Sequence, residues 1–231
     1  MAGWITPPPN EPIKTREELE RERAAKVEEL ASSGLLKSER IRQALLKIAR
    51  EDFIPRLYRD HAYLEVPLPL PGQQATISCP HSYPLFYEPL GLDAGHRFLE
   101  VGLGSGYGTA VAREVVGDEG LVVAVEIDPL TFEFAKANLE RAGYDDVVLV
   151  NADGGLGHPP LQPYDRISIT AACRSIPPPL TEQLAPGGKL IAPILDDGRQ
   201  FLILVEKTVQ GMTTKDICEV LYVSLRGKYG A

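Results

Sequence analysis

The sequence predicts a single α/β domain built on a doubly wound, mostly parallel sheet. Short apolar runs alternate with helix-compatible segments through residues 97–185, which is typical of parallel strands joined by helices on both faces. The run 121–126 is apolar until its last residue, as expected for a strand buried on both faces. Residues 201–207 and 217–225 alternate in the manner of antiparallel strands, so the sheet should end in antiparallel C-terminal strands.

Helices dominate the N-terminal region. Thr15 and Glu18 have the spacing of a capping box, which predicts a helix from this point. Ser38 can cap a second helix, and Pro80 suits the first turn of a third. These helices are expected to form a cap over the ligand-binding edge of the sheet.

We therefore expect two parts within one structural domain. Residues 1–90 form an N-terminal extension and cap subdomain, in which 1–12 is a loop, and residues 91–231 form the core. The polar stretch 225–230 is expected on the surface, near the active face.

Composition excludes several classes of protein. With 231 residues, 44% of them hydrophobic, the chain can bury a substantial core, and its net charge of −8 argues against a nucleic-acid or membrane-surface binder. Cys79, Cys173 and Cys218 lie far apart, which predicts reduced thiols in a cytoplasmic protein and neither disulfides nor a metal site. No run reaches the length of a membrane span, and no signal peptide is recognisable.

Residues 98–108 are the most informative stretch. An apolar run ends in Glu100, and a helix-compatible segment follows three glycines at alternate positions: Gly102, Gly104 and Gly106. Such a sequence predicts a buried strand, a tight turn and a helix N-terminus, where the backbone can approach a ligand closely. A purely structural turn is the alternative.

The spacing of these glycines decides between two ligands. A dinucleotide fingerprint would require a glycine at Tyr107 or at Thr109, so neither register fits. The pattern E-x-G-x-G-x-G instead resembles the first motif of S-adenosylmethionine (SAM)-dependent methyltransferases with a Rossmann-like sheet. The resemblance implies that SAM lies against Glu100 and the three glycines.

Two further strand ends carry carboxylates. Glu126 ends the run 121–126, where its carboxylate can accept hydrogen bonds from the hydroxyls of a ribose, and Ile127 follows it as a cofactor-binding residue. Asp153 and Gly154 follow the predicted strand 147–150, at the edge where ligands of open α/β sheets bind. The alternative for this Asp-Gly pair is a simple turn.

A more specific resemblance lies upstream of the glycines. Arg50-Glu-Asp-Phe-Ile-Pro55, the proline-rich link that follows it, and Gln74-Ala-Thr-Ile-Ser78 with Pro80-His81 are similar to the N-terminal subdomain of protein-L-isoaspartate (D-aspartate) O-methyltransferases. The resemblance covers roughly residues 25–228. It implies SAM-dependent methylation of L-isoaspartyl and D-aspartyl carboxyl groups in damaged proteins and peptides, which yields S-adenosylhomocysteine (SAH) and begins repair through a succinimide.

The same resemblance implies individual roles. Thr76, Ile77 and Ser78 would lie near the cofactor, and the hydroxyl of Ser78 would also position the reacting carboxylate. Asp153 and Gly154 would border the adenine. His81 would contact the substrate. Each has a structural alternative, since Ser78 can cap the helix that follows and His81 can be a packing residue of its first turn.

One stretch departs from the family pattern. Members commonly read Thr-Ala-Ala-Ala-Pro where this chain reads Thr170-Ala-Ala-Cys-Arg174, on the loop expected to border the acceptor. Arg174 could pair with a carboxylate of the substrate or point into solvent. The departure bears on the acceptor and not on SAM.

The chemistry itself requires few groups. An ionised carboxylate, with a pKa near ~4, is already a nucleophile at neutral pH, so transfer of a methyl group to it needs positioning and no general base. Other hypotheses stay open: a SAM-dependent enzyme with a small-molecule or RNA acceptor, and a non-catalytic binding protein with the same fold. We expect a monomer that binds neither nucleic acid nor membranes.

Overall fold

The central element of the fold is a seven-stranded sheet. The computed structural model describes residues 11–230. The strands of the sheet run in the order β5-β4-β3-β6-β7-β8-β9. In chain order they are β3 (Arg97–Val101), β4 (Leu121–Glu126), β5 (Val148–Asn151), β6 (Tyr164–Ile169), β7 (Leu184–Asp196), β8 (Arg199–Thr208) and β9 (Gly211–Val220). A separate hairpin pairs β1 (Leu68–Pro69) with β2 (Thr76–Ile77).

Strands β3 to β7 pair in parallel and β8 and β9 pair antiparallel, which confirms the predicted fold class. The boundaries predicted for the last strand, 217–225, were wrong. Strand β9 begins at Gly211, because a connection of only two residues joins it to β8. Strand β7 contains an irregularity at residues 185–188, where pairing with β6 moves from Leu184 to Lys189.

A two-residue hairpin turn joins β7 to β8. Its residues, Asp197 and Gly198, both have positive φ values, 42° and 79°, as the preferred two-residue hairpin turns require. Asp196 and Arg199 close the hairpin on either side. Asp197 is exposed.

The helices are α1 (Arg16–Ser32), α2 (Glu39–Lys47), α3 (Ser82–Leu90), α4 (Tyr107–Val116), α5 (Pro129–Ala142) and the short α6 (Pro178–Glu182). The capping box between Thr15 and Glu18 is present, and Ser38 caps α2 as predicted. Helix α3 begins at Ser82, two residues later than Pro80 suggested, and its N-terminal flanking residue is His81. Ser78 therefore does not cap this helix.

The cap and the sheet share one apolar core. Leu19 of α1, Ile41 of α2 and Phe53 are buried in the same cluster as Val111 of α4 and Ile191 of β7. Residues 1–10, which include most of the loop expected at 1–12, lie outside the described part of the chain. Within residues 11–230, no helix has both the length and the apolar character needed to cross a membrane.

Candidate active site

The glycine turn, residues 102–106, connects β3 to α4. All three glycines have positive φ values. The N–H groups of Gly102 and Leu103 both donate to the carbonyl of Val125 on β4. A Cβ at Gly102 would collide with Oγ1 of Thr170, which itself donates to the carbonyl of Gly102 at 2.9 Å. The turn is therefore fixed against both neighbouring strands.

Glu126 joins the glycine turn to the end of β4. Its Oε2 accepts from the N–H of Gly104 at 3.1 Å, and its Oε1 accepts from the N–H of Asp128 at 3.0 Å. Burial raises the pKa of Glu126, although these two N–H groups partly offset the effect. The carboxylate lies at the carboxyl edge of the sheet beside the turn, where the sequence predicted a ribose contact.

Glu100 lies beneath the turn and faces the interior. Its Oε2 accepts from the hydroxyl of Thr109 at 2.6 Å, and the hydroxyl of Tyr87 lies 3.5 Å from its Oε1. A Cβ at Gly108 would approach Oε1 to 2.6 Å, so this carboxylate packs tightly under α4. Burial raises the pKa of Glu100 to about 7. Its observed contacts support the turn from below, and direct contact with a cofactor stays a prediction.

Asp153 and Gly154 lie at the carboxyl end of β5. Oδ1 of Asp153 accepts from the N–H of Gly155 at 2.9 Å, and Oδ2 accepts from the N–H of Lys228 at 2.7 Å. A Cβ at Gly154 would lie 2.6 Å from Cγ1 of Val101, so only glycine fits against β3 here. The pair is thus more than a simple turn, because it packs the loop after β5 against the end of β3, the strand that leads into the glycine turn.

The C-terminal segment, residues 224–230, runs along this same edge, where the sequence placed it. Besides the Lys228 contact, the N–H of Leu225 donates to the carbonyl of Ala172 at 2.7 Å. The guanidinium of Arg226 lies 3.3 Å from Oδ2 of Asp128. Sequence reasoning gave no role to Asp128, Arg226 or Lys228, because contacts over 70 or more residues leave no local pattern.

The 76–78 segment, which belongs to the N-terminal region, packs against the glycine turn. A Cβ at Gly104 would lie 3.9 Å from the carbonyl oxygen of Thr76. Ile77 is buried and Ser78 half-buried. The segment predicted to lie near the acceptor is thus next to the predicted donor site.

His81 is paired with an acidic residue of the cap. Its Nδ1 lies 2.6 Å from Oε2 of Glu65, whose Oε1 lies 3.4 Å from Nζ of Lys26. Burial acts to raise the pKa of Glu65, but the hydrogen bond and charge of His81, together with Lys26, lower it. Cys79 brings a third potential metal ligand within 4.8 Å of the other two, and the carboxylate of this group is already paired with Lys26.

Arg174 follows β6 on an exposed loop. Cys173 before it is buried and held by backbone hydrogen bonds to Pro193 and Leu195 at 3.1 and 2.9 Å. Within the described chain, the Arg174 side chain makes no ion pair or hydrogen bond, so it is free to meet an acceptor.

The glycine turn is suited to a ligand such as SAM. Gly102 and Gly104 are partly exposed, whereas Gly106 is buried. A Cβ placed at Gly104 would lie 3.9 Å from both Cδ1 of Leu70 and the carbonyl oxygen of Thr76, so the turn is in ordinary contact with the cap on this side and is not crowded. The carboxylates of Glu126 and Asp153 lie at the carboxyl ends of β4 and β5, beside the turn. They can accept hydrogen bonds from a ligand that has hydroxyl and amino donors.

A model of the protein-L-isoaspartate(D-aspartate) O-methyltransferase family matches residues 21–230. The chain belongs to this family. The match includes both the glycine turn and the 76–78 segment, so the family resemblance noted in the sequence is confirmed.

Individual relatives carry the same family name. A protein-L-isoaspartate O-methyltransferase of Korarchaeum cryptofilum is 44% identical over 214 residues, which cover 88% of this chain and 96% of the relative. Protein-L-isoaspartate O-methyltransferase 1 of Archaeoglobus fulgidus is 46% identical over 193 residues, which cover 84% and 88% of the two chains.

Two solved structures share the fold. One protein-L-isoaspartate O-methyltransferase matches with a TM-score of 0.83 and 35% identity, over 90% of this chain and 67% of the other. A putative member from Plasmodium falciparum, crystallised with SAH, matches with a TM-score of 0.79 over 88% and 98% of the two chains. At 24% identity, the second structure supports the fold alone.

Proposed function

We infer that this protein is a SAM-dependent methyltransferase that esterifies the free carboxyl group of L-isoaspartyl and D-aspartyl residues in damaged proteins and peptides. Family membership over residues 21–230 supports the activity. The structural observation that supports it best is the position of the 76–78 segment against the glycine turn. The carbonyl oxygen of Thr76 lies 3.9 Å from a Cβ placed at Gly104. This position supports a donor site and an acceptor site that lie side by side.

The donor side follows from the ends of the strands. SAM, when bound, supplies a methyl group made electrophilic by a positively charged sulfur. We assign the ribose hydroxyls to Glu126 with Ile127 beside it, and the adenine edge to Asp153 and Gly154. The fixed glycine turn would hold the methionine portion.

The acceptor side has to position a group that is already reactive. The attacking oxygen belongs to an ionised carboxylate, so the protein's task is to align it with the methyl group and exclude water. We assign the alignment to the hydroxyl of Ser78, with His81 and Arg174 as contacts of the substrate chain. A free carboxylate has no good leaving group, whereas its methyl ester can lose methanol. The main-chain nitrogen that follows can therefore attack the ester carbonyl, close a succinimide and release methanol, and hydrolysis of the succinimide restores some normal aspartyl linkage.

The cysteines and the net charge bear on the cellular location and the partners of the protein. All three cysteines, Cys79, Cys173 and Cys218, are free. The net charge of −8 disfavours RNA as an acceptor. We propose a cytoplasmic monomer whose partners are flexible protein segments, and sedimentation of the pure protein at several concentrations would test the monomer.

The deciding experiment compares two peptides that differ only in the aspartyl linkage. With methyl-labelled SAM, we expect label in the isoaspartyl peptide and none in its normal aspartyl twin. The label should be released as methanol at alkaline pH, as expected of an ester. Equal labelling of both peptides, or base-stable label, would remove the assignment.

Calorimetry with SAH separates the remaining alternatives. A non-catalytic protein with a degenerate site should not bind SAH at all. Binding of SAH without labelling of either peptide would instead indicate a different acceptor.

A further inference from the structure

Arg50 is a buried charge that the mechanism above does not use. The residue is 1% exposed, and its side chain is the largest fully buried one among residues 11–230. Within residues 11–230, no carboxylate forms an ion pair with it. The adjacent Glu51 instead pairs with Arg23 at 3.4 Å and accepts from the hydroxyl of Tyr63. A buried charge without a counter-ion is costly, so its contacts require an explanation.

The guanidinium donates to groups from three parts of the chain. Its Nε donates to the carbonyl of Ala62 at 2.7 Å, and one Nη donates to the carbonyl of Ser78 at 2.6 Å. The other Nη lies 3.3 Å from the hydroxyl of Tyr83. A planar fork with fixed donor directions can hold such a set, whereas a lysine offers a single ammonium.

The same guanidinium also contacts the beginning of α4. Its carbon lies 5.4 Å from the ring centroid of Tyr107, the residue directly after Gly106, and 5.7 Å from that of Tyr83. These two rings pack edge to face at 4.8 Å. One side chain thus links the carbonyl of Ser78 to the helix that follows the glycine turn.

We propose that Arg50 is a positioning residue that sets the 76–78 segment at the correct distance from the methyl donor. The proposal rests on the proposed function for its kinetic effect. Arg50 acts through the backbone of Ser78 and touches neither substrate nor cofactor in this role. Its loss should therefore impair use of the acceptor more than binding of the cofactor product.

The kinetic test uses Arg50→Met, which keeps the apolar volume, and Arg50→Lys, which keeps the charge. We expect kcat/KM for the isoaspartyl peptide to fall at least ~10-fold, and up to ~100-fold, because small misplacements of reacting groups have effects of this size. The dissociation constant for SAH should change less than about threefold, which is small compared with the fall of at least ~10-fold expected in kcat/KM. Arg97→Met is the matched control, since its guanidinium also donates to backbone carbonyls, of Pro163 and Leu161, at the opposite end of β3.

Chemical rescue separates positioning from general stability. In Arg50→Ala, guanidinium chloride at non-denaturing concentration should restore part of kcat, while sodium chloride of equal ionic strength should not. If activity, SAH affinity and melting temperature instead fall in parallel, or if Arg50→Met keeps the full kcat/KM, the proposal is overturned.

A second measurement does not depend on the acceptor. Amide hydrogen exchange over residues 74–80 should become faster in Arg50→Lys with SAH bound, and exchange in β4 should stay unchanged. Unchanged exchange over 74–80 contradicts the proposal. If the wild type labels neither peptide, the proposed function fails, and this exchange experiment still tests Arg50.

Discussion

The proposed donor side and the proposed acceptor side of the site are built by different means. The glycine turn, Glu126 and Asp153 lie at the ends of three adjacent parallel strands, and backbone hydrogen bonds of the sheet hold them. The 76–78 segment includes the second strand of a hairpin of two-residue strands, and the side chain of Arg50 ties it to the rest of the cap. The proposed donor side therefore rests mainly on the regular pairing of the sheet, whereas the proposed acceptor side depends on a few long-range contacts.

The largest expected effect would break the donor side alone. Gly102→Ala adds a Cβ that collides with Thr170 at a φ of 98°, so the turn must move. A left-handed conformation costs roughly 1–2 kcal/mol for alanine, and the collision adds to this, so we expect SAH binding to weaken on the order of a hundredfold, about 3 kcal/mol. Calorimetric titration of SAH measures it.

Gly143→Ala is the matched control for this change. Gly143 has a φ of 81° at the end of α5, and no atom lies within 4 Å of its added Cβ. It should lose some stability and bind SAH like the wild type. Equal weakening by both variants would show that backbone strain alone, and not the position of the turn, controls binding.

A second effect concerns the charge beneath the turn. Burial raises the pKa of Glu100 to about 7 from an ordinary 4.5. Between these values the folded protein holds a proton that the unfolded chain has lost, so the free energy of unfolding decreases as pH rises through this window. Ionisation of Glu100 should cost about 3 kcal/mol in full, since one pKa unit corresponds to about 1.4 kcal/mol.

Glu100→Gln removes this ionisation. Relative to the wild type, the variant should gain stability as pH rises from about 4.5 to above 7, as urea denaturation at several pH values would measure. Glu119→Gln, which replaces an exposed carboxylate, should keep the pH dependence of the wild type. If the free energies of unfolding of Glu100→Gln and wild type differ by a constant amount across this range, the raised pKa of Glu100 is contradicted.

The smallest expected effect sharpens the acceptor side. Ser78→Ala removes one neutral hydroxyl, and a hydrogen bond of this kind is worth about 1 kcal/mol, so kcat/KM for the isoaspartyl peptide should fall roughly fivefold. SAH affinity should not change. Ser33→Ala, which removes a hydroxyl bonded to the end of α1, is the control. Weaker SAH binding by Ser78→Ala would move Ser78 from the acceptor side to the donor side.

The difference between the two sides also explains what the sequence could predict. The alternation of strands and helices follows local sequence patterns. The positions of Glu126 and Asp153 could also be predicted, because a parallel sheet brings consecutive strand ends to one edge. The turn at Asp197 was missed, although Asp-Gly is a strong hairpin signal. The start of α3 was predicted too early, at Pro80 and not at Ser82, because proline is compatible with several positions near the start of a helix.

The long-range contacts were beyond sequence reasoning. Arg50 was part of a recognised motif, but nothing in its neighbours shows that its side chain reaches Ser78, 28 residues away. The pairing of His81 with Glu65 likewise spans 16 residues. Such contacts depend on how the cap folds back, and the proposed acceptor side rests on them.

The hydrogen bonds to Asp153 also bear on how this protein itself ages. An aspartyl residue before glycine is prone to cyclise, because the following nitrogen is unhindered. At Asp153 the side chain would have to give up its bonds to Gly155 and Lys228 before it could turn onto the Gly154 nitrogen. Asp197 before Gly198 lies exposed in a hairpin turn instead. Peptide mapping of heat-aged protein should therefore find isoaspartate at Asp197 well before Asp153, and the reverse order would show that these bonds give no protection.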